Sequence, residues 1–331
     1  MAELPAIRLK PARPFEATGV DLAGPFLMKL TDKLNLNTRS KANLPEVKGW
    51  IAVFICLVTR AIHLEPVMDL SADAFLQAYT RFTSRRGNPK TVHSDNGPNL
   101  VAGDRILREA VESFADAKVQ QYASCNHTKW NFITPAAPHE GGIWEAAVKS
   151  MKHHLRRVMG PQKYSYEAIS TLLASIEACL NSRPICAMSD DPSDISTLTP
   201  AHFLIGGPLK LPLPEDAGEP PKTAKRLYAT LQAQTNSFWK QWSQDYLHSL
   251  MHRPKWREMQ ENVEIDQLAL IKDENLPPTH WAMGRIIETH KAKDGCVRSV
   301  TLKTQNGKLD RSIRKICIMP TDQELDYWVE N

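Results

Sequence analysis

The feature that most constrains the fold is an unbroken run of nine apolar residues, Trp50 to Val58. A transmembrane helix needs about 20 such residues, and the N-terminus shows no pattern typical of a signal peptide. We therefore expect neither a membrane nor a secreted protein. The run is typical of a β-strand that is buried on both faces, so it predicts a sheet that is covered on both sides.

The composition is that of an ordinary globular chain of roughly two domains. Of the 331 residues, 42% are hydrophobic and 24% are charged, which excludes disorder, collagen and fibre. The formal charge is only +4, from 41 Lys and Arg against 37 Asp and Glu, so a surface for nucleic acid must come from the placement of charges. The six cysteines lie far apart and form no C-x-x-C pair, so the sequence indicates neither a disulfide framework nor a zinc finger. A reducing compartment fits this pattern best.

Strand-like and helix-like stretches alternate in the first half, which predicts an α/β architecture with helices covering a sheet. The expected strands are residues 15–22, 50–58, 61–66, 91–94 and 119–123, and the first three indicate an antiparallel start. The expected helices are one that begins at the N-cap Ser71 and two at residues 142–158 and 166–180.

The second half begins with residues 184–221, which hold eight of the 23 prolines and show almost no periodicity. A helix at 224–250 and short alternating runs at 268–272, 283–289, 297–303 and 313–318 follow, and the short runs predict a small barrel. We expect four parts: a core at 10–185, a Pro-rich linker at 186–222, a helix with a basic β domain at 223–320, and an acidic tail at 321–331.

Three acids stand at places where folding could bring them together. Asp21 ends the first predicted strand, Asp95 directly follows the strand at 91–94, and Glu145 lies in the first turns of a helix. Carboxylates that crowd together need a divalent cation between them, and two such ions can hold the attacking and leaving oxygens of phosphoryl transfer. The alternative from the residues alone is that the two aspartates are turn residues and Glu145 is favoured by the helix dipole.

The stretches around these acids, GVDLAGP, HSDNGPN and PHEGGIWEAAVKSMKHHLRRV, resemble the D,D,E signature of integrases, specifically those of BEL/Pao-type LTR retrotransposons. The resemblance continues in ACLNSRP, LTPAHFLIG, FWKQWSQDYL and LPPTHWAMGRI, so it covers nearly the whole chain. It implies an RNase H-like core, a helical linker and a small SH3-like β-barrel. It also implies that Asp21, Asp95 and Glu145 are the catalytic residues and hold two Mg²⁺ or Mn²⁺ ions.

The activity implied by this resemblance is that of a polynucleotidyl transferase and endonuclease that processes the 3′ ends of element DNA and joins them to host DNA. The implied partners are element ends and target DNA, with the chain as a homo-oligomer on DNA and with no membrane or small-molecule substrate. We expect action in the nucleus because the substrate is DNA, although no compact Lys/Arg run of a nuclear address is present.

Two departures from the family pattern leave other functions open. The zinc-binding His/Cys module that usually precedes the core is absent before Asp21, and Glu140 and Leu100 stand where the family has aromatic residues. These departures favour a second hypothesis, a catalytically silent DNA-binding remnant of an integrase. A third hypothesis is an RNase H-type nuclease for RNA–DNA hybrids, which would not need the basic barrel.

Basic residues follow Glu145 along one helix face. Lys149, Lys152 and Arg156 lie at +4, +7 and +11, which places them within about 40° of Glu145 around the helix axis. We expect them to bind the phosphates of a DNA strand; the alternative is a solvated flank with i,i+4 pairing. We expect Asn96 and His139 to support the site, although a turn asparagine and an exposed loop histidine are the plainer interpretations.

The segment from Lys222 to Pro320 holds 17 Lys and Arg against 10 Asp and Glu, so a net positive charge is concentrated in it. Basic residues near its end and on neighbouring strands would suit phosphate contacts that do not read bases, although the ordinary basic exterior of a β domain is the alternative. They are Arg311, Arg314 and Lys315, with Arg285 and Arg298 beside them. Trp239 and Trp242 are expected to pack in a core, and not to stack on bases.

Overall fold

The computed structural model describes residues 11–29, 46–94, 115–132, 138–189, 191–211, 224–251, 262–273 and 275–320. Of residues 132, 138–148 and 224–227 it describes the backbone alone. The described part contains a central mixed β-sheet with flanking helices and a separate antiparallel β-sheet. Within it, no helix is both long enough and apolar enough to cross a membrane.

The N-terminal part is built on a sheet of the order β3-β2-β1-β4-β5, with the short β6 beside β1. The first three strands are antiparallel to one another, and β4 and β5 run parallel to β1. The elements are β1 Ala17–Lys29, β2 Glu46–Cys56, β3 Ile62–Val67, α1 Ala72–Arg86, β4 Thr91–Ser94, α2 Ala117–Cys125, β5 Lys129–Phe132, α3 Pro138–Met159, β6 Tyr164–Ser165 and α4 Tyr166–Asn181.

The nine-residue apolar run forms the core of this sheet, as predicted. Every residue of β2 from Gly49 to Cys56 is buried, which requires cover on both faces. On one face, Phe54 stacks on Phe82 of α1 with ring centroids 4.2 Å apart. Helix α1 begins where expected, because Ser71 Oγ accepts the N–H of Ala74 at 3.1 Å.

The prediction of a strand at residues 119–123 is wrong. These residues belong to helix α2, in which Val119 and Ala123 are buried. Their spacing of four residues places both on one helix face, and it was mistaken for a short apolar strand. The fifth strand is β5, which pairs with β4 from Thr91↔Lys129 to Ser94↔Phe132.

The C-terminal part is a five-stranded antiparallel sheet of the order β12-β11-β10-β9-β13. Its core includes Ala269, Ile286, Val300 and Leu302. The sequence pattern missed β12 and merged the 3₁₀ helix Ile313–Lys315 with β13. The elements are β7 Cys186–Ala187, β8 Thr197–Leu198, α5 Pro200–Ile205, α6 Ala224–Leu250, β9 Leu268–Ile271, β10 Ala282–Lys291, β11 Val297–Thr304, β12 Gly307–Ser312 and β13 Ile316–Ile318.

The described residues fall into two compact units. The N-terminal unit extends to Leu180 and includes α6 as far as Phe238, whereas the C-terminal unit includes residues 181–211 and the chain from Trp239 onwards. Residues 186–211, expected to lie in a linker, contain β7, β8 and α5, and they belong to the C-terminal unit. Ala187 of β7 joins Leu268 and Leu270 of β9 in one apolar cluster. The burial of β7 in this cluster, and not the proline content, therefore determines to which unit the segment belongs.

A buried acid on β3 organises the ion pairs of the N-terminal unit. Glu65 is 2% exposed, and its Oε2 accepts Nε–H of Arg81 at 2.6 Å. Its Oε1 lies 2.8 Å from Nη1 of Arg85 and 3.0 Å from Nε2 of His63. Both arginines belong to α1, so the carboxylate ties α1 to the edge strand of the sheet.

His63 connects this acid to a second one on α4. Its Nδ1 lies 3.2 Å from Oε2 of Glu177, and Glu177 also bonds Arg86 of α1. Oε2 of Glu177 accepts the N–H of Leu64 at 3.1 Å. The cluster therefore joins β3, α1 and α4 through two carboxylates and one imidazole.

Replacing the buried acid should destabilise the N-terminal unit. In Glu65→Gln, two guanidinium groups and His63 lose their carboxylate, and we expect the free energy of unfolding to fall by about 2–3 kcal/mol. Urea unfolding followed by circular dichroism measures this change. Glu16→Gln is the control, because the exposed Glu16–Lys90 pair should contribute far less; an equal loss in both variants would contradict the prediction.

The stability of the same unit should depend on pH through His63. Burial lowers the pKa of His63, but its hydrogen bonds to Glu177 and Glu65 raise that pKa by more, to above the usual 6.5. The stabilisation is therefore complete below pH 6.5 and is lost as the pH rises through the higher folded pKa. The difference in unfolding free energy between the natural chain and His63→Asn should shrink as the pH rises above 6.5. A difference that grows with pH would refute this interpretation.

Candidate functional site

Asp21 lies on the central strand, beside the point where β4 ends. β1 pairs with β4 in parallel, and the last registered pair is Val20↔Ser94. Asp21 is the next residue on β1, and Asp95 is the next residue in the sequence after Ser94. Asp95 and Asn96 lie outside the described residues. The described part of β4 therefore ends level with Val20, one residue before Asp21, and the predicted second acid is the next residue in the sequence.

The carboxylate of Asp21 has a partner on each oxygen. Oδ1 accepts the backbone N–H of Leu22 at 2.7 Å, and Oδ2 accepts a hydrogen bond from Nζ of Lys152 at 2.6 Å. The side chains of Asp21 and Lys152 are 34% and 20% exposed. A partly buried, charge-assisted bond therefore joins the central strand to helix α3.

Helix α3 packs against β1 with a basic flank next to the site. Its core face buries Met151, Leu155 and Met159 at a spacing of four residues. Lys152 and Arg156 each follow a core residue by one position, which turns them about 100° away from the core. Nη2 of Arg156 donates to the carbonyl of Gly24 at 3.3 Å, where the β1–β2 register shifts between Ala23 and Phe26.

The structure brings part of the predicted site together. Asp21, Lys152 and Arg156 lie side by side, and Lys149 is exposed on α3. Glu145 belongs to the same helix, seven residues before Lys152, and so falls on the same helix face. The side chains of Glu145 and His139 lie outside the described residues.

A hydrogen bond that the sequence did not reveal holds the end of β4. Nε1–H of Trp130 on β5 donates to Oγ of Ser94 at 3.0 Å, and Ser94 is buried. Ser94 and Trp130 are 36 residues apart in the sequence, and only the pairing of β4 with β5 brings them together. This bond fixes the strand end from which the chain continues to Asp95.

The described residues contain no group of three or more His, Cys, Asp or Glu side chains that could hold a metal ion. The predicted set is Asp21, Asp95 and Glu145, of which the structure describes only the side chain of Asp21. The assignment of these three acids as metal ligands therefore stays a prediction.

Arg285 was expected to contact phosphate, and this expectation is wrong. The residue is 5% exposed and donates to three backbone carbonyls. Nε bonds Asp194 O at 2.8 Å, Nη1 bonds Asp266 O at 2.7 Å, and Nη2 bonds Ser189 O at 2.8 Å. All of its guanidinium nitrogens are thus bound inside the C-terminal unit, where the arginine holds a loop to β10.

The other basic residues of the C-terminal unit that were expected to contact phosphate are exposed or half-buried. Arg314 and Lys315 are exposed on the 3₁₀ helix that follows β12, and Arg311 is half-buried with Nη1 bonded to the carbonyl of Asp310 at 3.0 Å. Arg298 is exposed and paired with Asp294 Oδ2 at 2.7 Å. The accessible guanidinium and ammonium groups next to β13 are those of Arg314 and Lys315.

The two tryptophans of α6 are core residues, as expected. Trp239 and Trp242 are buried, and Trp239 packs edge-on against Trp281 with ring centroids 4.7 Å apart. Trp242 stacks on Tyr246 at 5.5 Å. Their ring faces are used inside the C-terminal unit, which leaves none free for base stacking.

Comparisons with known proteins give a match to one family model and matches to solved structures. Residues 226–319 match a family described as a family of unknown function, DUF5641. A chain of the simian T-cell lymphotropic virus intasome, solved by cryo-electron microscopy in complex with PP2A regulatory subunit B56 gamma, is 10% identical, and the alignment covers 94% of this chain and 80% of that chain with a TM-score of 0.38. No curated protein matches the chain.

The buried and exposed arginines of the C-terminal unit should respond differently to the same substitution. Arg285→Met leaves three carbonyls without their donor and should lower the free energy of unfolding by about 2–3 kcal/mol. Arg314→Met removes the same charge from an exposed position, so it should leave stability nearly unchanged and weaken salt-sensitive DNA binding. Thermal unfolding and fluorescence anisotropy with duplex DNA measure the two effects. Equal melting temperatures for the two variants would contradict the structural role of Arg285.

Proposed function

We propose that the chain is an integrase, a polynucleotidyl transferase that processes element DNA ends and joins them to host DNA. The observation that carries the proposal is the position of Asp21 on the central strand, beside the end of β4 and in contact with the basic flank of α3. Sequence motifs that resemble an integrase signature meet at this point of the fold. The mixed sheet with flanking helices supports an RNase H-like core, and the antiparallel C-terminal sheet supports an SH3-like barrel.

The strand register supports a shared site for the two aspartates. Neighbouring strands lie about 4.8 Å apart, and β4 reaches its last pair one residue before Asp21. Asp95 would then follow β4 next to Asp21, and Glu145 would face both from α3. The Trp130–Ser94 hydrogen bond would act as a support, because it fixes the residue that precedes Asp95.

The described acid is chemically suited to a divalent cation. Asp21 offers carboxylate oxygens, the donors that Mg²⁺ prefers, on a rigid strand and at partial exposure. It already attracts one cation, the ammonium of Lys152. Asp21, Asp95 and Glu145 would hold two Mg²⁺ or Mn²⁺ ions, which supply the charge that stabilises the attacking and leaving oxygens at phosphorus.

The chain's own residues would bind and orient the DNA. Lys149, Lys152 and Arg156 would hold phosphates of the element end beside the acids, and Asn96 and His139 would support the reacting strand by hydrogen bonds. On the C-terminal unit, phosphates would be bound by Arg311, Arg314 and Lys315. This second basic surface favours an integrase over an RNase H-type nuclease, and we propose action in the nucleus as a homo-oligomer on DNA.

Strand joining by the purified chain tests this function. The substrate is a branched oligonucleotide that mimics the integration product, with Mg²⁺ or Mn²⁺, because such a substrate requires little beyond a working core. We expect metal-dependent resolution, and we expect Asp95→Asn and Glu145→Gln each to reduce it by at least about 10³-fold while they largely spare DNA binding. Gel electrophoresis of labelled products measures the rate.

The controls separate the competing functions. Glu65→Gln is a matched acid-to-amide change at a carboxylate outside the site. The molecules of this variant that remain folded should resolve the branched oligonucleotide at the same rate as the natural chain. Truncation at about residue 222 should leave cleavage of RNA–DNA hybrids intact only if the protein is an RNase H-type nuclease. Salt-sensitive DNA binding without resolution would instead indicate the silent remnant, and full activity in Asp95→Asn would refute the assignment of the acids.

A further inference from the structure

Lys152 makes a contact that a DNA-binding lysine does not require. Its Nζ lies 2.6 Å from Oδ2 of Asp21, and both side chains are largely sheltered from solvent. Oδ1 of the same carboxylate accepts the N–H of Leu22 at 2.7 Å. Each carboxylate oxygen thus accepts one hydrogen bond, and Oδ2 is the oxygen whose partner is itself a cation.

A divalent cation at Asp21 would compete with this ammonium. Mg²⁺ binds carboxylate oxygen at about 2.0–2.1 Å, so an ion on Oδ2 would lie within a few ångströms of Nζ of Lys152. Two positive charges at this distance in a partly buried site repel each other strongly. Metal binding at Oδ2 should therefore displace the lysine from Asp21.

A displaced Lys152 would join a basic flank that can bind a second anion, a phosphate of DNA. A lysine side chain is a flexible four-carbon stem with a point charge at its end. Lys149 is exposed one turn before Lys152, and Arg156 is exposed one turn after it on the same flank of α3. A phosphate that runs along this flank would meet Lys152 as soon as the lysine leaves the carboxylate.

We propose that Lys152 couples metal binding to DNA binding by exchanging between two anions. It pairs with Asp21 before a divalent ion binds there, and it pairs with a DNA phosphate afterwards. This inference rests on the proposed role of Asp21 as a metal ligand. By thermodynamic reciprocity, the metal tightens DNA binding by the same factor by which DNA tightens metal binding.

Metal affinity gives the first test, with no catalytic readout. Mn²⁺ is titrated into the full chain by isothermal calorimetry, without DNA. Lys152→Met removes the competitor and should bind Mn²⁺ about tenfold more tightly than the natural chain. Lys149 is exposed and lies one turn before Lys152. Lys149→Met removes the same charge there and should change the Mn²⁺ affinity less than about twofold. Equal Mn²⁺ affinities for the natural chain and Lys152→Met would overturn the proposal.

The coupling gives the second test. Fluorescence anisotropy measures the affinity for a short duplex with and without Mn²⁺. In the natural chain the metal should tighten DNA binding, whereas in Lys152→Met this gain should be lost. Lys149→Met should bind DNA more weakly in both conditions but should retain the gain. A gain of the same size in Lys152→Met would overturn the proposal.

Asp21→Asn separates this inference from the proposed function. Loss of Mn²⁺ binding in Asp21→Asn supports Asp21 as a ligand, whatever the result for Lys152→Met. Unchanged Mn²⁺ affinity in Asp21→Asn overturns the ligand role and, with it, the exchange. Circular dichroism confirms the fold of each variant, and Lys152→Gln, with the same expected gain in Mn²⁺ affinity, replaces Lys152→Met if that variant does not fold.

Discussion

The burial of β2 on both faces is the constraint on which the N-terminal unit depends. Its apolar residues cannot face water at an acceptable free-energy cost, so α1 packs over Phe54 and the opposite face is covered as well. Once β2 is inside, β1 lies beside it as a central strand with neighbours on both sides. The candidate site lies on this central strand, and a strand holds the residues of a site more precisely than a loop does.

Two sheltered carboxylates of this unit are each compensated by basic partners beside them. Glu65 has two arginines and a histidine around it, and Asp21 has Lys152. The first arrangement is closed, since Glu65 is buried among its partners, and it serves to join elements. The second is partly open, because the side chain of Asp21 is 34% exposed beside the end of β4, which is the position of the candidate site.

The C-terminal unit uses its cations in two ways, which a count of charges does not distinguish. Arg285 is bound to three carbonyls and holds a loop, whereas Arg314 and Lys315 project from a 3₁₀ helix. A guanidinium with five donors satisfies buried carbonyls as readily as phosphates. The excess of basic residues in this segment thus divides between internal support and an exposed basic surface, which we propose binds DNA.

The sequence by itself determined the elements whose periodicity is strong: β2 from its apolar run, α1 from Ser71 onwards, β4 and α6. It also placed Asp95 directly after β4 and Glu145 on a helix, whereas Asp21, which was expected to end a strand, lies inside β1, which continues to Lys29. It mistook α2 for a strand, since Val119 and Ala123 fit both patterns over five residues. Only the tertiary structure decided which charges pair, because the partners Asp21 and Lys152 are separated by 131 positions and Arg285 and Ser189 by 96. Distances of that kind depend on strand register and helix packing, which local sequence does not encode.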